Sequence, residues 1–329
     1  MKKLLPFPFP FPFPFPVLLL LVSLWSCSVS AQTVKINTEA QSLPQPETGR
    51  IERLENFPSQ HVDARHIDVW LPSNFEQLKA AGQKFNVIYM HDGQMLFDPQ
   101  TTWNKQAWHA DRAVSQLVAT GQLAPTLLVG IWNNGKFRHS EYFPQKFLQH
   151  LTPVFRENYI KQSLQNKPQS DAYLRFITTE LKPFIDARYP TLVGPAHTAI
   201  MGSSMGGLIS VYAMSEYPQI FGRAAGLSTH WMGTHTPNAH IPIAALTYLR
   251  DKLPAAQSHK IYQDHGNLEL DALYAPYQVL VDQVIRDKAY VENTKQAFFF
   301  TKVYEGTGHN EKAWAQRLTI PMFFLLGQP

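Results

Sequence analysis

Residues 198–207 read TAIMGSSMGG, and this stretch decides the fold of the chain. Its apolar start predicts a buried strand, and its glycine-rich end predicts the first turn of a helix. A G-x-S-x-G sequence between a strand and a helix is typical of a nucleophile elbow, a sharp and strained turn whose neighbours must lack bulk. The alternative is a glycine-rich helix start with incidental serines. The flanking strand and helix favour Ser204 as a nucleophile that projects from the turn.

The rest of the chain alternates between strand and helix patterns. Apolar runs bounded by turn residues predict strands, and amphipathic stretches between them predict helices. This alternation predicts an α/β fold with a mostly parallel sheet and helices on both faces. Catalytic groups of such a fold lie at the carboxyl ends of the strands. The predicted strands are 85–90, 126–132, 198–201, 223–227, 260–263 and 297–304, and the predicted helices include 207–215, 274–288 and 311–318.

His309 is the candidate general base. A serine hydroxyl is a poor nucleophile until a base takes its proton, and in architectures with such an elbow the acid and the histidine follow the serine in that order. His309 lies in the segment EGTGHNE, residues 305–311, between the last predicted strand and the last predicted helix. Because the chain has 13 histidines, a surface-loop histidine is the alternative. The position after the last strand favours the catalytic interpretation.

Three carboxylates compete for the role of the acid that orients the histidine. They lie in the segment DHGNLELDALY, residues 264–274, after a predicted strand. Asp271 is favoured, then Glu269, and Asp264 is third because it is too close to the strand end for easy reach. Asp271 has a second interpretation, because aspartate is a frequent N-cap and a helix is predicted to follow.

The oxyanion hole requires two backbone N–H groups. One is expected from Met205, which follows the nucleophile, and the other from the loop after an earlier strand. That strand, 85–90, ends in the turn HDGQ, so Gln94 is the second candidate. A metal held by His91 and Asp92 is the alternative, but the ligand set and spacing of a known site are missing. No metal and no organic cofactor are expected.

Four segments together resemble the putative-esterase family of α/β hydrolases. This family includes family-one carbohydrate esterases, enterochelin esterases, S-formylglutathione hydrolases and mycolyltransferases. The resemblance extends from about Glu52 to the C-terminus and implies the α/β-hydrolase fold. It also implies Ser204, Asp271 and His309 as the triad, with Glu269 as the alternative acid. The segments are YMHDGQMLFD (89–98), MGSSMGG (201–207), DHGNLELDALY (264–274) and EGTGHNEKAW (305–314).

Candidate substrate-binding residues come from one further segment and two tryptophans. Residues 138–144, RHSEYFP, resemble the R-x-x-E-Y-x-P loop of the family, which implies that Arg138, Glu141 and Tyr142 lie near the site. Trp132 and Trp231 follow predicted strand ends, where they would form an aromatic wall or simply fill the core. The expected partner is a small-molecule or oligosaccharide ester.

The N-terminus predicts an export signal over residues 1–31. Two lysines precede a short apolar run that ends at Trp25, and small residues follow up to Ala31. Such a signal indicates a periplasmic or extracellular protein, and the run is too short for a stable membrane span. A lipoprotein attached through Cys27 is the less favoured alternative. Residues 32–57 are interpreted as a polar lead-in, and residues 58–329 as one esterase domain.

Composition agrees with an ordinary globular protein. The chain has 329 residues, of which 44% are hydrophobic and 16% charged, which is sufficient for a sizeable core. The net charge is +4 without a run of basic residues, so no nucleic-acid partner is predicted. The interpretation is an exported serine esterase. The alternatives are an acyltransferase that uses the same triad and a non-catalytic binding protein on a hydrolase scaffold.

Overall fold

A nine-stranded sheet organises the described part of the chain. The structure is a computed structural model that describes residues 34–292 and 297–328, together with Met1 and Lys3. The remainder of the predicted signal segment 1–31, including Cys27, lies outside the described residues. In the described ranges, no helix has the length and apolar character needed to cross a membrane.

The sheet is mixed, with an antiparallel edge and a parallel centre. Its strand order is β1-β2-β3-β5-β4-β6-β7-β8-β9. Pairing is antiparallel from β1 to β3 and between β3 and β5, and parallel from β5 through β4 to β9. The strands are β1 (Lys35–Asn37), β2 (Arg50–Phe57), β3 (Arg65–Leu71), β4 (Asn86–His91), β5 (Thr126–Ile131), β6 (Thr198–Ser203), β7 (Arg223–Leu227), β8 (Lys260–Gly266) and β9 (Phe299–Tyr304).

Helices cover both faces of the sheet, which confirms the predicted α/β class. Side chains alternate across each strand, so Val87 and Tyr89 of β4 join one apolar cluster while Ile88 and Met90 join the other. The first cluster packs under α4 to α9, and the second under α2, α10 and α11. The helices are α1 (Phe75–Ala80), α2 (Ala110–Ala119), α3 (Arg138–Tyr142), α4 (Pro153–Ser163), α5 (Ser170–Arg175), α6 (Lys182–Arg188), α7 (Met205–Glu216), α8 (His240–Lys252), α9 (Ala275–Asp287), α10 (Glu311–Arg317) and α11 (Thr319–Leu326).

The segment predicted as a polar lead-in, 32–57, contributes two strands to this sheet instead. β2 pairs with β3 from Arg50 opposite Leu71 to Phe57 opposite Arg65. Its apolar residues Leu54 and Phe57 are buried in the core. Several of its polar residues form ion pairs with neighbouring elements, as Arg53 does with Asp68. The polar sequence of β2 therefore reflects paired charges, and not separation from the domain.

The parallel strands bring the predicted site residues to one edge of the sheet. Gln94 follows β4, Ser204 follows β6, Asp271 follows β8 and His309 follows β9. Since β4, β6, β7, β8 and β9 run in the same direction, their carboxyl ends share an edge. This edge is where ligands bind in open α/β sheets.

Candidate active site

Ser204 occupies a strained turn between β6 and α7. Its backbone angles are φ 56° and ψ −123°, a conformation that non-glycine residues rarely adopt. A Cβ atom on Gly202 would lie only 2.8 Å from the backbone carbonyl carbon of Gly206, so the turn has no room for a side chain there. The Ser204 N–H donates to the carbonyl oxygen of Leu227 at 2.9 Å. These features fix the direction in which the serine projects.

Met205 is the first residue of α7. The N–H groups of a first helical turn have no acceptor within their own helix. The helix dipole adds a partial positive charge at this end. The backbone of Met205 therefore provides a suitable environment for negative charge next to the Ser204 side chain.

His309 forms a short hydrogen bond with Asp271. The distance from His309 Nδ1 to Asp271 Oδ1 is 2.6 Å. The other carboxylate oxygen accepts from Ser228 Oγ and from the Gly266 N–H, each at 2.6 Å. Burial tends to raise the pKa of Asp271, but the hydrogen bonds from His309 and Ser228 lower it further, so the net pKa is below the usual value. Asp271 is therefore an ionised carboxylate beside the imidazole.

The two rival acids have other partners. Glu269 accepts a hydrogen bond from the backbone N–H of His309 at 2.8 Å, so it fixes the loop and not the ring. Asp264 lies within β8 and forms a buried bidentate pair with Arg317, with both distances at 2.9 Å. The N-cap interpretation of Asp271 does not match the structure, because α9 begins at Ala275 and Asp271 lies in the preceding 3-10 turn.

Ser204 and His309 line the same cavity, whose volume is about 290 Å³. Of the hydrogen bonds that His309 makes in the described part of the chain, none goes to Ser204. Such catalytic contacts often tighten only when substrate binds. The hydroxyl of Tyr274 lies 2.7 Å from His230 Nδ1, and its ring meets the His309 ring edge-on at 5.7 Å. The cavity is also lined by Asp92, Gln94, Met95, Trp103, Trp108, Asn133, Arg138, Ser203, Glu311 and Trp314.

An ion pair holds the loop that carries Gln94. Asp92 has φ 57°, and its carboxylate accepts from Nε and Nη2 of Arg138, each at 2.7 Å. Asn133 Nδ2 donates to the same carboxylate at 2.7 Å, and its backbone N–H donates to Gln94 Oε1 at 3.2 Å. Although burial opposes the charge, Arg138 keeps the pKa of Asp92 below its usual value. The ion pair between Asp92 and Arg138 therefore fixes the loop that carries Gln94 at the cavity wall.

This arrangement also bears on the metal alternative. Asp92 is occupied by Arg138, and His91 Nδ1 lies 2.8 Å from the Tyr173 hydroxyl. Among the described residues, no group of three or more His, Cys, Asp or Glu side chains is arranged to hold a metal ion.

Of the residues predicted from the R-x-x-E-Y-x-P loop, only Arg138 is among those that line the cavity. Glu141 is fully buried and forms a bidentate pair with Arg65, with both distances at 2.7 Å. The buried hydroxyl of Tyr142 accepts the backbone N–H of Asp92 at 3.2 Å. The side chains of Glu141 and Tyr142 thus point from α3 into the core. They stabilise the residues behind the cavity and do not line it.

The aromatic wall is built from different tryptophans than the sequence suggested. Trp132 donates to Asp68 at 2.8 Å, and the buried Trp231 donates to Gln278 at 2.9 Å; neither is among the cavity-lining residues. The cavity instead has Trp103, Trp108 and Trp314. Trp103 is 83% exposed and stands at the mouth. These residues lie in loops and in α10, where side-chain direction depends on tertiary contacts.

Ser228 is a site residue that the sequence reasoning missed. It directly follows β7, is fully buried and has φ 47°. Its hydroxyl donates to Asp271 and accepts from Trp314 Nε1 at 2.9 Å and from Arg317 Nη2 at 3.3 Å. The Trp314 ring in turn meets the His309 ring edge-on at 5.1 Å. One network therefore joins Asp271, His309 and the cavity wall. In the sequence, the available signal for Ser228 is a serine at the carboxyl end of a predicted strand.

Three further histidines lie around the site, of which His91 and His230 are buried and His139 is half-buried. Burial lowers the pKa of His91 to about 3, although Asp92 opposes the shift. Burial and the Arg138 charge lower the pKa of His139 to about 4. Burial and neighbouring cationic groups lower the pKa of His230 to about 3. All three are neutral in the folded protein at neutral pH.

Lowering the pH should therefore destabilise the fold, and it should do so at pH values well above those at which carboxylates titrate. The folded pKa of each of these histidines lies below the unfolded value of about 6.5, so the unfolded chain binds more protons once the pH falls below about 7. Each histidine should cost up to about 1.4 kcal/mol of unfolding free energy per pH unit. Urea denaturation between pH 7 and 5.5 measures this loss. His139→Gln should reduce the slope and exposed His150→Gln should not; a midpoint that stays constant over this range would contradict the prediction.

Comparison with known proteins identifies the family. A family model described as "Putative esterase" matches residues 61–323. An uncharacterised protein of Bacillus subtilis is 27% identical over 181 residues, which are 54% of this chain and 60% of that protein. A siderophore triacetylfusarinine C esterase of Aspergillus fumigatus is 28% identical over 155 residues, 47% of each chain. The structure of a ferulic acid esterase superposes with a TM-score of 0.58 at 20% identity, over 84% of this chain and 98% of that one. The chain therefore has the α/β-hydrolase fold and belongs to the putative-esterase family.

Proposed function

We propose that the protein is a serine esterase that hydrolyses carboxylic esters through Ser204, His309 and Asp271. One observation carries the proposal: a serine on a strained elbow shares a cavity with a histidine whose Nδ1 lies 2.6 Å from a buried carboxylate. This arrangement has the parts of a Ser-His-Asp triad, and the family match supports it.

The proposed reaction has two steps through an acyl-enzyme. As Ser204 Oγ attacks the ester carbonyl, His309 Nε2 takes its proton, and the N–H groups of Met205 and Gln94 stabilise the oxyanion. Collapse of this intermediate breaks the ester C–O bond, and His309 returns the proton to the leaving alcohol. A water molecule, deprotonated by His309, then attacks the acyl-Ser204 ester. The carboxylic acid leaves and Ser204 regains its proton.

Asp271 has a supporting role in both steps. Its carboxylate fixes the imidazole so that Nε2 is available to the serine, and it stabilises the imidazolium that forms transiently. The hydrogen bonds from Ser228 and Gly266 hold this carboxylate in place. Because Asp271 is fully buried, its charge is little screened by solvent.

The substrate class that we propose is an ester of a carbohydrate or of a siderophore. Support comes from the activities named for a sequence relative and for a structural neighbour, and from the tryptophans that line the cavity. The export signal predicted for residues 1–31 would place the reaction outside the cytoplasm; cleavage is checked by the N-terminal residue of the mature protein.

A panel of esters tests this function. We expect hydrolysis of short aryl esters and of at least one of acetylated xylan, feruloylated sugars and a ferric siderophore ester, measured as acid released. Repeating the assay with an added sugar acceptor separates hydrolysis from acyl transfer, because transfer would yield a new ester in place of free acid. Absence of both products across the panel would favour a binding protein on a hydrolase scaffold.

A further inference from the structure

A second cavity lies beside the catalytic one, on the other side of the same two chain segments. Its volume is about 340 Å³. In α10, Glu311 and Trp314 face the catalytic cavity, whereas Lys312 and Ala315 line the second one. The loop before α2 divides in the same way, because its tryptophans 103 and 108 line the first cavity and residues 105–107 line the second. The two cavities are therefore neighbours across one layer of chain.

The second cavity is strongly basic. Lys105, Arg112 and Lys312 line it together with His109, and none of the described residues that line it is a carboxylate. The nearby Glu47 contacts His109 Nδ1 at 2.8 Å and Arg112 Nη1 at 3.6 Å. In the described part of the chain, Glu47 is the one carboxylate within ion-pair distance of these three permanent cations, which leaves an excess of positive charge. A ligand anion would relieve the repulsion between these cations.

The walls of this cavity are tied together. Asn104 Nδ2 donates to Glu311 Oε2 at 2.8 Å, and the backbone N–H of Lys312 donates to Gln106 Oε1 at 3.3 Å. Lys105 and His109 have φ 57° and 50°, a left-handed backbone that costs energy in non-glycine residues. The side chain of Lys105 also donates to the carbonyl oxygen of Gln100 at 2.8 Å. The basic groups are thus presented by a loop that is fixed against α10.

We propose that this basic cavity is an anion-binding subsite for the ester substrate. It holds a carboxylate, sulfate or phosphate on the part of the substrate that remains outside the catalytic cavity. A helix with its side chains is about 10 Å wide, so an anion in the second cavity would lie about one or two sugar or amide units from the scissile bond. Arg112 offers a planar fork suited to such an anion, and the lysines act as point charges. This inference rests on the proposed esterase function, because it assigns the anion to the substrate.

Binding to the Ser204→Ala protein tests the subsite independently of turnover. The probes are a xylo-oligosaccharide that carries one glucuronic acid, its neutral counterpart of equal length, and inorganic phosphate. Calorimetry at low salt should show the acidic sugar binding at least about fivefold more tightly than the neutral one. This preference should shrink at 0.5 M NaCl, where the Debye length falls to a few ångströms.

The variant Lys105→Gln/Lys312→Gln should remove most of the preference and leave affinity for the neutral sugar unchanged. Lys84→Gln, another exposed lysine away from both cavities, is the matched control and should behave like the parent protein. Equal affinity for the two sugars, or no measurable binding of either, would overturn the proposal. The proposal would also be overturned if phosphate bound tightly and the acidic sugar did not, because the site would then bind a free anion and not the substrate. Neither result depends on whether Ser204 is the nucleophile, so the esterase proposal is judged separately by the ester panel.

Discussion

Replacing Ser204 with alanine is expected to abolish ester hydrolysis while the protein stays folded. Loss of a triad serine costs on the order of 10⁴-fold or more in turnover, because no other group can form the acyl intermediate. Alanine and serine share the same Cβ, so the positive φ at this position costs both about equally. The measurements are kcat on a short aryl ester and the urea midpoint, which should remain that of the parent protein.

Two controls make this experiment decisive. Ser203→Ala alters the neighbouring hydroxyl at the end of β6 and should reduce turnover by less than about tenfold. A fluorophosphonate, which reacts with activated serines, should add its mass to the peptide that contains Ser204 in the parent protein only. If Ser204→Ala keeps a tenth of parental turnover, or if another peptide is labelled, Ser204 is not the nucleophile.

The second large effect is expected from Asp271→Asn. Three hydrogen-bonding groups point at the two oxygens of this carboxylate: His309 Nδ1, Ser228 Oγ and the Gly266 N–H. An amide of the same shape keeps only one oxygen, so its NH₂ group must face at least one donor. The imidazole then loses its orientation and the charge that stabilises its protonated form. We expect a loss of about 10²- to 10⁴-fold in kcat with a smaller change in KM.

Glu269→Gln is the matched control, because it makes the same chemical change two residues away. Its side-chain oxygen can still accept the backbone N–H of His309, which the Glu269 carboxylate accepts at 2.8 Å. Turnover should therefore stay within about threefold of the parent value. Steady-state kinetics of both variants, corrected for the folded fraction, give the comparison. A greater loss for Glu269→Gln than for Asp271→Asn would assign the acid to Glu269 and leave the rest of the mechanism unchanged.

Features that depend on adjacent residues could be predicted from the sequence. The elbow around Ser204 needs a strand, small neighbours and a helix in direct succession, so residues 198–207 contain all of its requirements. The six predicted strands all appear in the sheet, although β8 extends to Gly266. The family resemblance and the α/β fold were likewise available, because each rests on local patterns.

Features that depend on long-range packing were not predictable in this way. Ser228, Trp314 and Arg317 meet around Asp271 only because β7 and β8 are neighbours in the sheet and α10 packs against them. Likewise, the direction of Trp132 after β5 is set by the buried charge of Asp68 on β3. No spacing along the chain records such contacts. For the same reason, the sequence could not distinguish a lining tryptophan from a supporting one.

Ser228 imposes opposite demands on its backbone and its side chain. The backbone of Ser228 is left-handed, with φ 47°. At such a position, replacing another residue with glycine usually improves stability by about 1 kcal/mol. Glycine would nevertheless remove the hydroxyl that donates to Asp271 and accepts from Trp314 and Arg317. Because this loss takes an acceptor from the buried Trp314 and Arg317 side chains, at about 1–3 kcal/mol for each unsatisfied group, the hydrogen bonds outweigh the backbone gain and serine is the more stable residue at position 228. Engineering of this protein for thermostability should therefore keep serine at position 228 and seek its gains elsewhere.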